Sequence, residues 1–509
     1  MLRVMRHVLG LDLGSSSAKV GLFTLDGHCA RITNVSYPTS EPQPGFREQD
    51  PRLWWDAVVS GIREVTSAVR LNDILAVGTS GHISSQTFVD RNGAPLRPAL
   101  TFQDRRAWSE VEELHSDFTR EELAIQLGID LPPAASWPLP RLLWFKKHEP
   151  KTLERAHLLL QAKDSVNFRL TGEFATDASS NRGIVDFSSD TVAESVLSKL
   201  GLPAHLMPRI CGPAEVIGRV CRKAASETGL PAGIPVVAGW NDLNASALGN
   251  GCVDDGDAFD ITGTSDHLGV VSCVSHWVPE LMCAPYLPGK RLFYGVTSNG
   301  GGSLAWYKGA FSKSVEELIC LAESAPAGSD SLLFLPYLDG ERSPIWDARA
   351  CGAFVGIQSL HGEAHFVRAI LEGVAFSLRQ ILDLVDQDAG NLTEPIVISG
   401  GAARSGSWNQ IKANVWARPA AVTENLDSAG LGAAMLAAVA AGEYRDCETA
   451  ARGMARLRAR YTVDPGLAAR YEQFYRVYCE LYPALKNCMA RLCEDRLKEA
   501  GSACLVKPQ

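Results

Sequence analysis

The sequence lacks any apolar run long enough to cross a bilayer. Its longest apolar window, residues 429–441, is shorter than the roughly 20 residues that a membrane helix needs and contains two glycines. We therefore expect a buried helix there. Residues 1–10 are basic but have no apolar core of signal-peptide length, so we expect no secretory leader.

Paired cysteines and excess positive charge are lacking as well. The 13 cysteines are scattered without a CxxC pair, and no Cys/His group has zinc-ligand spacing. Their odd number argues against a disulfide framework, which favours a cytoplasmic protein. The 49 Lys and Arg residues against 58 Asp and Glu residues give a net charge of -9, which argues against a nucleic-acid or membrane-surface partner.

The length and composition are those of a multidomain globular protein. The 509 residues, of which 46% are hydrophobic and 21% charged, are too many for one hydrophobic core, so at least two domains are expected. Residues 108–200 have a mainly helical pattern, and we expect a helical insert whose charged residues form solvated faces.

A strand followed by a turn of small residues occurs twice, about half a chain apart. Asp12 precedes the turn at residues 14–17, and Asp260 precedes the turn at residues 263–265. Backbone N–H groups and hydroxyls in such turns suit phosphate oxygens, and a neighbouring carboxylate can hold Mg²⁺ through water. Ordinary β-hairpins with common turn residues are the alternative.

A carboxylate near the middle of the chain stands where a buried strand ends and a helix begins. The apolar residues 235–238 predict the strand, Gly239 ends it, and the residues after Asp242 have helical spacing. Asp242 or Asn241 could simply cap this helix, because Asp and Asn are preferred caps. The second interpretation is a catalytic carboxylate.

Two polar loops follow predicted strands of the first half. Residues 79–86 are expected at the carboxyl end of a buried strand, where ligands bind in open α/β sheets; Gln103 and Asp104 belong to the second loop. His82 could equally be a solvated loop histidine, and Asp104 a helix cap.

Two glycine-rich segments in the second half of the chain are predicted to be ligand-binding loops. Residues 300–303 open a predicted helix, and residues 399–405 form a tight turn between a strand and a helix, where backbone can approach a flat ligand. The Ala/Gly-rich helix at residues 428–441 must pack closely against its neighbours.

Taken in order, these stretches resemble the FGGY family of carbohydrate kinases. The resemblance covers nearly the whole chain, from Asp12 to about Gly442. It is carried by residues 10–19, 96–99, 103–106, 238–249, 263–265, 334–344 and 400–405.

The resemblance implies an α/β fold of two ribonuclease H-like domains of the actin-like ATPase type, with ATP and sugar in an interdomain cleft. Residues 1–250 would bind the sugar and carry the catalytic base, residues 251–485 would bind the nucleotide, and residues 486–509 would form a tail. Asp242 would be the base, and Asp12 would lie near Mg²⁺ through water.

The remaining site residues are implied in the same way. The phosphates would contact Ser15, Ser16 and Ser17. The nucleotide would be lined by Gly263, Thr264, Gly301, Gly401 and Ser405. The sugar would contact His82, Ile83, Ser84, Gln103, Asp104 and Asp242.

Within the family, the middle of the chain is most similar to the xylulokinases, which implies ATP-dependent phosphorylation of D-xylulose to D-xylulose 5-phosphate. Three positions depart from that pattern. Residues 81–85 read Gly-His-Ile-Ser-Ser where xylulokinases usually read Gly-Gln-Met-His-Gly, residues 102–104 read Phe-Gln-Asp instead of Trp-Asn-Asp, and Trp240 replaces a usual glycine.

Because of these departures, the alternative is a kinase for gluconate, glycerol, another ketose or polyol, or a carbohydrate-like signal. A homodimer also stays an alternative. Two other classes are weighed against a kinase. An actin-like ATP-gated module would need a peptide-binding domain or an assembly surface after Gly442, and neither is recognisable in that part of the sequence. A non-catalytic sugar sensor should have lost Asp242 or a phosphate turn, and all are present.

Overall fold

The computed structural model describes residues 6–129, 133–274, 278, 280–311, 313–389 and 392–499. They belong to two compact units. The first consists of Met1–Gly251, Ala284–Leu287 and Asp427–Ala455, and the second of Cys252–Cys283, Pro288–Leu426 and Arg456–Gln509. Among the described helices, none combines the length and apolar character that crossing a membrane requires.

The elements alternate between strands and helices over most of the chain. In chain order the strands are β1 (His7–Leu13), β2 (Ser17–Thr24), β3 (Cys29–Ser36), β4 (Glu48–Gln49), β5 (Ile74–Gly81), β6 (Gln86–Val89), β7 (Ala99–Leu100), β8 (Leu158–Gln161), β9 (Ala175–Asp177), β10 (Val185–Asp186), β11 (Thr191–Val192), β12 (Arg209–Cys211), β13 (Val216–Arg219), β14 (Pro235–Val237), β15 (Trp240–Asn241), β16 (Asp257–Thr262), β17 (His267–Ser272), β18 (Met282–Pro285), β19 (Arg291–Val296), β20 (Leu333–Leu335), β21 (Ala353–Val355), β22 (Thr393–Gly400), β23 (Ala420–Thr423) and β24 (Leu457–Tyr461). The helices are α1 (Pro51–Thr66), α2 (Trp108–Asp117), α3 (Arg120–Leu127), α4 (Pro138–His148), α5 (Pro150–Arg155), α6 (Ala162–Thr171), α7 (Glu194–Lys199), α8 (Arg222–Thr228), α9 (Asp242–Gly249), α10 (Gly301–Phe311), α11 (Val315–Glu323), α12 (Glu363–Ala389), α13 (Gly406–Trp416), α14 (Ser428–Ala440), α15 (Cys447–Met454) and α16 (Pro465–Glu499).

The first unit is built on a sheet in which β1 is central. The strand order is β13-β14-β5-β1-β2-β3, with β15 also paired to β5. Strand β1 is antiparallel to β2 and parallel to β5. Helix α1 begins after its cap Asp50, whose side chain accepts a hydrogen bond from Arg52 N at 3.0 Å, and it buries Trp54, Val58 and Ile62. The apolar face of α1 therefore contributes to the core of this unit.

The second unit repeats this order of strands. Its sheet runs β18-β19-β17-β16-β22-β23-β24, and β16 is antiparallel to β17 and parallel to β22. Strand β16 thus has the position in its sheet that β1 has in the first sheet. Both strands lead into the predicted small-residue turns, so the two similar stretches of sequence form similar structures. Their carboxylates are offset by one residue, because Asp12 stands two residues before Gly14 and Asp260 three residues before Gly263.

Helix α14 is grouped with the first unit by its packing, whereas the predicted nucleotide-binding domain, residues 251–485, includes it. Its backbone lies so close to three neighbours that added Cβ atoms at Gly10, Gly78 and Gly249 would lie 1.9–2.0 Å from its carbonyl oxygens. A Cβ at Gly432 of this helix would lie 1.9 Å from Ala245 O. The predicted close packing of this helix is therefore present, and it joins residues 427–455 to the first unit.

Two expectations need correction. Thr79, Ser80 and Gly81 belong to β5 rather than to the following loop. The segment at 108–200 contains strands β8–β11 besides helices, and several of its charged side chains are buried rather than solvated. Helix α16 continues past residue 486 to Glu499, so residues 486–499 of the predicted tail are helical. Residues 1–5 and 500–509 lie outside the described residues.

Candidate active site

Asp242 is the first residue of α9 and follows β15 directly. Asn241, not Asp242, caps the helix, because Asn241 Oδ1 accepts a hydrogen bond from Asn244 N at 2.9 Å. Asp242 Oδ1 accepts from Leu243 N at 2.9 Å, and the side chain is partly exposed. The requirement for a cap is therefore met one residue earlier, which leaves the role of the Asp242 carboxylate to be explained otherwise.

The sheet of the first unit brings Asp12 and Asp242 to the same end of the sheet, at the carboxyl ends of β1 and β15. In β5, Ser80 is paired with Asp12 of β1 on one side and with Trp240 of β15 on the other. Burial raises the pKa of Asp242 to about 7, with a further contribution from the negative charge of Asp12, while the Arg182 guanidinium acts in the opposite direction. A carboxylate whose pKa is near 7 is suited to general-base catalysis at neutral pH.

Asp12 is buried among a hydroxyl and a cation. Ser80 Oγ donates to Asp12 Oδ1 at 3.1 Å. Lys19 Nζ lies 3.7 Å from Asp12 Oδ2 and 2.9 Å from Asp427 Oδ1. Within the described ranges, no three His, Cys, Asp or Glu side chains are grouped as metal ligands. The residues fit an ion held by one carboxylate together with water and phosphate oxygens, which is the usual protein environment of Mg²⁺.

The turn between β1 and β2 presents hydroxyl groups to solvent. Gly14 N donates to Ser17 O at 2.9 Å and closes the turn. Ser15 and Ser16 are exposed, whereas Ser17 is the first residue of β2 and only 9% exposed. Of the three predicted phosphate-binding serines, Ser15 and Ser16 are the accessible ones.

The predicted sugar loop after β5 is held in place by buried contacts. His82 Nδ1 lies 2.6 Å from Leu13 O, and burial lowers the pKa of His82, so its imidazole is neutral. His82 Nε2 is buried and has no hydrogen-bond partner among the described residues, so it can accept a hydrogen bond from a ligand hydroxyl. Ile83 is partly exposed. Ser84 is buried with a left-handed backbone, φ 65°.

In the second predicted sugar loop, two neighbouring residues differ in their exposure to solvent. Gln103 is exposed, whereas Asp104 is buried. Asp104 already accepts four hydrogen bonds: from Arg47 N at 2.7 Å, Arg106 N at 3.1 Å, Arg106 Nε at 2.9 Å and Arg106 Nη2 at 2.8 Å. A sugar hydroxyl would have to displace one of these donors to reach it. Of the two residues, Gln103 is the better placed to meet a ligand.

Arg141 joins the two predicted sugar loops and was not singled out from the sequence. This fully buried side chain donates through Nη1 to Ser84 O at 2.7 Å and to Gln86 Oε1 at 3.0 Å, and through Nη2 to Thr101 O. Burial lowers its pKa to about 9, so the guanidinium stays charged at neutral pH. In the sequence, the signal for a buried Arg141 was its position as a single Arg inside the apolar stretch 139–145.

In the second unit, the predicted nucleotide residues of two loops lie together. Gly300 N donates to Thr264 O at 2.8 Å, and Gly301 N donates to Gly263 O at 2.9 Å, so the turn after β16 contacts the start of α10. A Cβ on Gly301 would lie 2.6 Å from Gly263 O. The approach of these two loops therefore requires glycine at position 301.

The glycine turn after β22 lies beside the same strand end. Gly401 N donates to Thr262 O at 3.1 Å, and Thr262 Oγ1 accepts from Ala402 N at 3.0 Å. Gly401 is exposed, and a Cβ placed on it would meet no atom within 4 Å. Ser405 caps α13 by accepting from Trp408 N at 3.2 Å. The turn thus leaves open space at Gly401, while Ser405 already has a structural role.

Asp260 belongs to a buried ion group whose other members, Lys412 and Asp266, were not singled out from the sequence. Lys412 Nζ is 2.6 Å from Asp260 Oδ2 and 3.5 Å from Asp266 Oδ2, and Asp266 Oδ1 accepts from Gly263 N at 3.0 Å. Burial raises the pKa of Asp260 to about 6 despite the Lys412 charge. Lys412 thereby connects α13 to the predicted phosphate turn.

Comparisons with known proteins cover the same parts of the chain. A model of the FGGY family of carbohydrate kinases, N-terminal domain, matches residues 7–249, and a model of the C-terminal domain of that family matches residues 260–441. The xylulose kinase of Bacillus subtilis is 29% identical over 504 residues, covering 95% of this chain and 98% of that protein. The xylulose kinase of Escherichia coli is 32% identical over 443 residues, covering 85% and 90%.

Three further relatives show how the named sugar varies. The L-xylulose/3-keto-L-gulonate kinase of Escherichia coli is 28% identical over 510 residues, covering 97% of this chain and 100% of that protein. The crystal structure of a ligand-bound xylulose kinase from Lactobacillus acidophilus has a TM-score of 0.87 at 27% identity, covering 96% and 100% of the two chains. That of a gluconate kinase from the same species has a TM-score of 0.86 at 27% identity, covering 94% and 98%.

Proposed function

This chain belongs to the FGGY family of carbohydrate kinases and has their actin-like ATPase fold, and from that premise we propose that it phosphorylates D-xylulose to D-xylulose 5-phosphate at the expense of ATP. That it is a sugar kinase follows from the family. The choice of sugar is supported by the xylulose kinases among its relatives. A cytoplasmic location, where ATP is available, completes the proposal.

The observation that carries the mechanism is the Asp242 carboxylate at the start of α9, with its pKa raised to about 7. In the proposed reaction, Asp242 accepts the proton of the attacking sugar hydroxyl while the hydroxyl oxygen bonds to the γ-phosphorus. The bond from that phosphorus to the β–γ bridging oxygen breaks, and its electron pair leaves with ADP. The proton later passes from Asp242 to solvent, which restores the base.

The phosphate-side roles are proposed for both units. Ser15 and Ser16 present exposed hydroxyls. The turn at Gly263 and Thr264 is held by Asp266, which accepts from Gly263 N and pairs with Lys412. Asp12 would orient Mg²⁺ through water. When bound, that ion neutralises negative charge on the phosphates. Gly401 leaves room for the base of the nucleotide, since its surroundings are open.

The sugar side is proposed to use His82, Ile83 and Gln103. His82 contributes the buried Nε2 acceptor, Ile83 a partly exposed apolar contact, and Gln103 an exposed amide. Asp104 is retained as a proposed sugar residue only on the family pattern, because its oxygens are already occupied.

A sugar acid is the second candidate substrate. The buried Arg182 guanidinium opposes the rise in the pKa of Asp242, and a positive charge that acts on the proposed base favours a negatively charged substrate. The gluconate kinase and the L-xylulose/3-keto-L-gulonate kinase among the similar proteins support this candidate.

A substrate screen tests the choice. ADP release would be measured with D-xylulose, L-xylulose, D-ribulose, glycerol, gluconate and 3-keto-L-gulonate, each with ATP and Mg²⁺, and ³¹P NMR would identify the phosphorylated position. We expect the highest kcat/KM with D-xylulose and a 5-phosphate product. A kcat/KM at least tenfold higher with gluconate or another sugar would overturn D-xylulose while leaving the kinase activity in place.

A further inference from the structure

Asn241 holds the start of α9 through both ends of its side-chain amide. Its Oδ1 accepts from Asn244 N at 2.9 Å and caps the helix. Its Nδ2 donates to Ser179 Oγ at 2.7 Å. Ser179 belongs to the short turn Ala178–Ser180 after β9, more than 60 residues earlier in the chain. The residue beside the catalytic carboxylate is therefore tied to a distant segment.

We propose that Ser179 is a positioning residue, which together with Asp177 and Lys163 fixes the amide of Asn241 and so the direction of the Asp242 carboxylate. This gives a role to part of the segment at 108–200, for which the sequence suggested only a helical insert. The inference rests on the proposed role of Asp242 as the base.

The hydrogen-bond directions around Ser179 determine how Asn241 is oriented. Ser179 Oγ donates its only proton to Asp177 Oδ2 at 2.5 Å. The hydroxyl can then serve Asn241 only as an acceptor, so the NH₂ group of Asn241 must face Ser179. The amide oxygen is consequently directed to Asn244 N. A flipped amide would place two acceptors against each other at Ser179 and leave the helix uncapped.

Asp177 is itself held by a buried cation. Lys163 Nζ lies 2.9 Å from Asp177 Oδ1 and 2.7 Å from Asp164 Oδ1. All three side chains are buried, and the carboxylates keep the pKa of Lys163 above its ordinary value even though desolvation acts against them. Lys163 is therefore charged, which keeps Asp177 available as the acceptor for Ser179.

The same lysine also holds the chain just before Asp242. Lys163 Nζ donates to Ala238 O at 3.1 Å, and Asn167 Nδ2 donates to the same oxygen at 2.9 Å. Gly239, which follows, has φ 75°, and a Cβ there would lie 2.2 Å from Thr79 O. Residues 238–241 are thus fixed at both ends: Ala238 by Lys163, and Asn241 by Ser179. These contacts limit how far Asp242 can move.

Ser180 provides a matched control within the same turn. Its Oγ also donates to Asp177, through Oδ1, and it is buried like Ser179. Among the described contacts, it makes none with Asn241. Ser179→Ala and Ser180→Ala each remove one hydroxyl donor to Asp177, and only the first releases the Asn241 amide.

The test compares kcat, both KM values and thermal unfolding for Ser179→Ala, Ser180→Ala and Ser179→Thr, with ATP and D-xylulose or whichever sugar of the screen has the highest kcat/KM. A base displaced by a fraction of an ångström costs about 10- to 100-fold in rate. We expect that loss in kcat for Ser179→Ala with the KM for ATP unchanged, near-normal kcat for Ser180→Ala, and recovery of most activity in Ser179→Thr.

Asp242→Asn, alone and combined with Ser179→Ala, separates the two proposals. If Ser179 acts through Asp242, the second substitution causes no further loss in the Asp242→Asn background. Equal losses in Ser179→Ala and Ser180→Ala, or normal kcat in Ser179→Ala beside an inactive Asp242→Asn, would overturn the positioning role alone. Full turnover in Asp242→Asn would instead overturn the assignment of the base, and the positioning role with it.

Discussion

At the scale of single residues, Asp242 has the property that a base for sugar phosphorylation needs. An ordinary aspartate with a pKa near 4 is a weak base, and here burial and the charge of Asp12 raise the pKa to about 7. The identity and position of Asp242 were predicted from the strand, glycine and helix pattern. Its shifted pKa could not be, because Asp12 lies 230 residues away in sequence.

The raised pKa predicts the pH dependence of the reaction. Asp242 must be deprotonated to accept a proton, so kcat/KM should rise with pH up to about 7 and level off above it. The measurement uses both substrates below their KM values, with Mg²⁺ in excess over ATP. A profile that is flat between pH 5.5 and 8.5, or that falls as pH increases through 7, would contradict this role.

Gly401 offers a test of the nucleotide site that leaves the fold alone. Its backbone is right-handed, φ -66° and ψ -44°, and a Cβ would meet no protein atom within 4 Å. Gly401→Ala should therefore unfold at the same temperature as the original protein or slightly higher. If the adenine lies against this backbone, the added methyl should raise the KM for ATP by about tenfold, equivalent to about 1.4 kcal/mol.

The KM for the sugar in Gly401→Ala is the internal control and should stay within about twofold. Gly309→Ala is a matched variant, since Gly309 also has open space around it but lies later in α10. Unchanged KM for ATP in both variants would remove Gly401 from the nucleotide site.

At the scale of elements, α4 holds the two predicted sugar loops in place. Arg141 on this helix binds carbonyl oxygens of both loops, at Ser84 and at Thr101. Arg141→Met keeps much of the side-chain volume and removes the donors, at a cost of about 1–3 kcal/mol in stability. We expect the KM for the sugar to rise about tenfold or more, with the KM for ATP unchanged, in steady-state assays below the melting temperature.

Lys146 on the same helix is the control for Arg141. Its Nζ donates to Leu200 O at 2.8 Å, away from the sugar loops, so Lys146→Met should leave both KM values unchanged. An Arg141→Met protein that is folded and binds the sugar normally would show that α4 has only a structural role.

Strand and helix positions were the most predictable features, because their local patterns are strong. The hairpin of β1 and β2 and the strand before Asp242 are both present as expected. The buried charges of Arg141 and Lys163 were missed, since charged residues in a helical stretch usually face solvent. Their partners, such as Asp177 and Ala238, come from other segments, and no local pattern reveals them.

At the scale of the whole molecule, the two Asp-and-turn stretches belong to β1 and β16, which have the same position in two sheets of similar strand order. Helix α14 packs with the first unit, although the C-terminal family model extends over it. Its partners Gly10, Gly78 and Gly249 are distant in sequence, so only tertiary packing identifies them. The family followed from motifs spread over nearly the whole chain. The sugar did not, because the positions that depart from the xylulokinase pattern lie in the loops expected to contact it.

The most direct test of the account is the turnover of Asp242→Asn. This substitution keeps the shape of the side chain, so nucleotide affinity measured by calorimetry and the unfolding temperature should not decrease. With Asp242 as the general base, kcat should fall by about 10²- to 10⁴-fold, the usual contribution of such a base, while the Kd for ATP should stay within about threefold. A kcat within tenfold of the original protein would contradict that role.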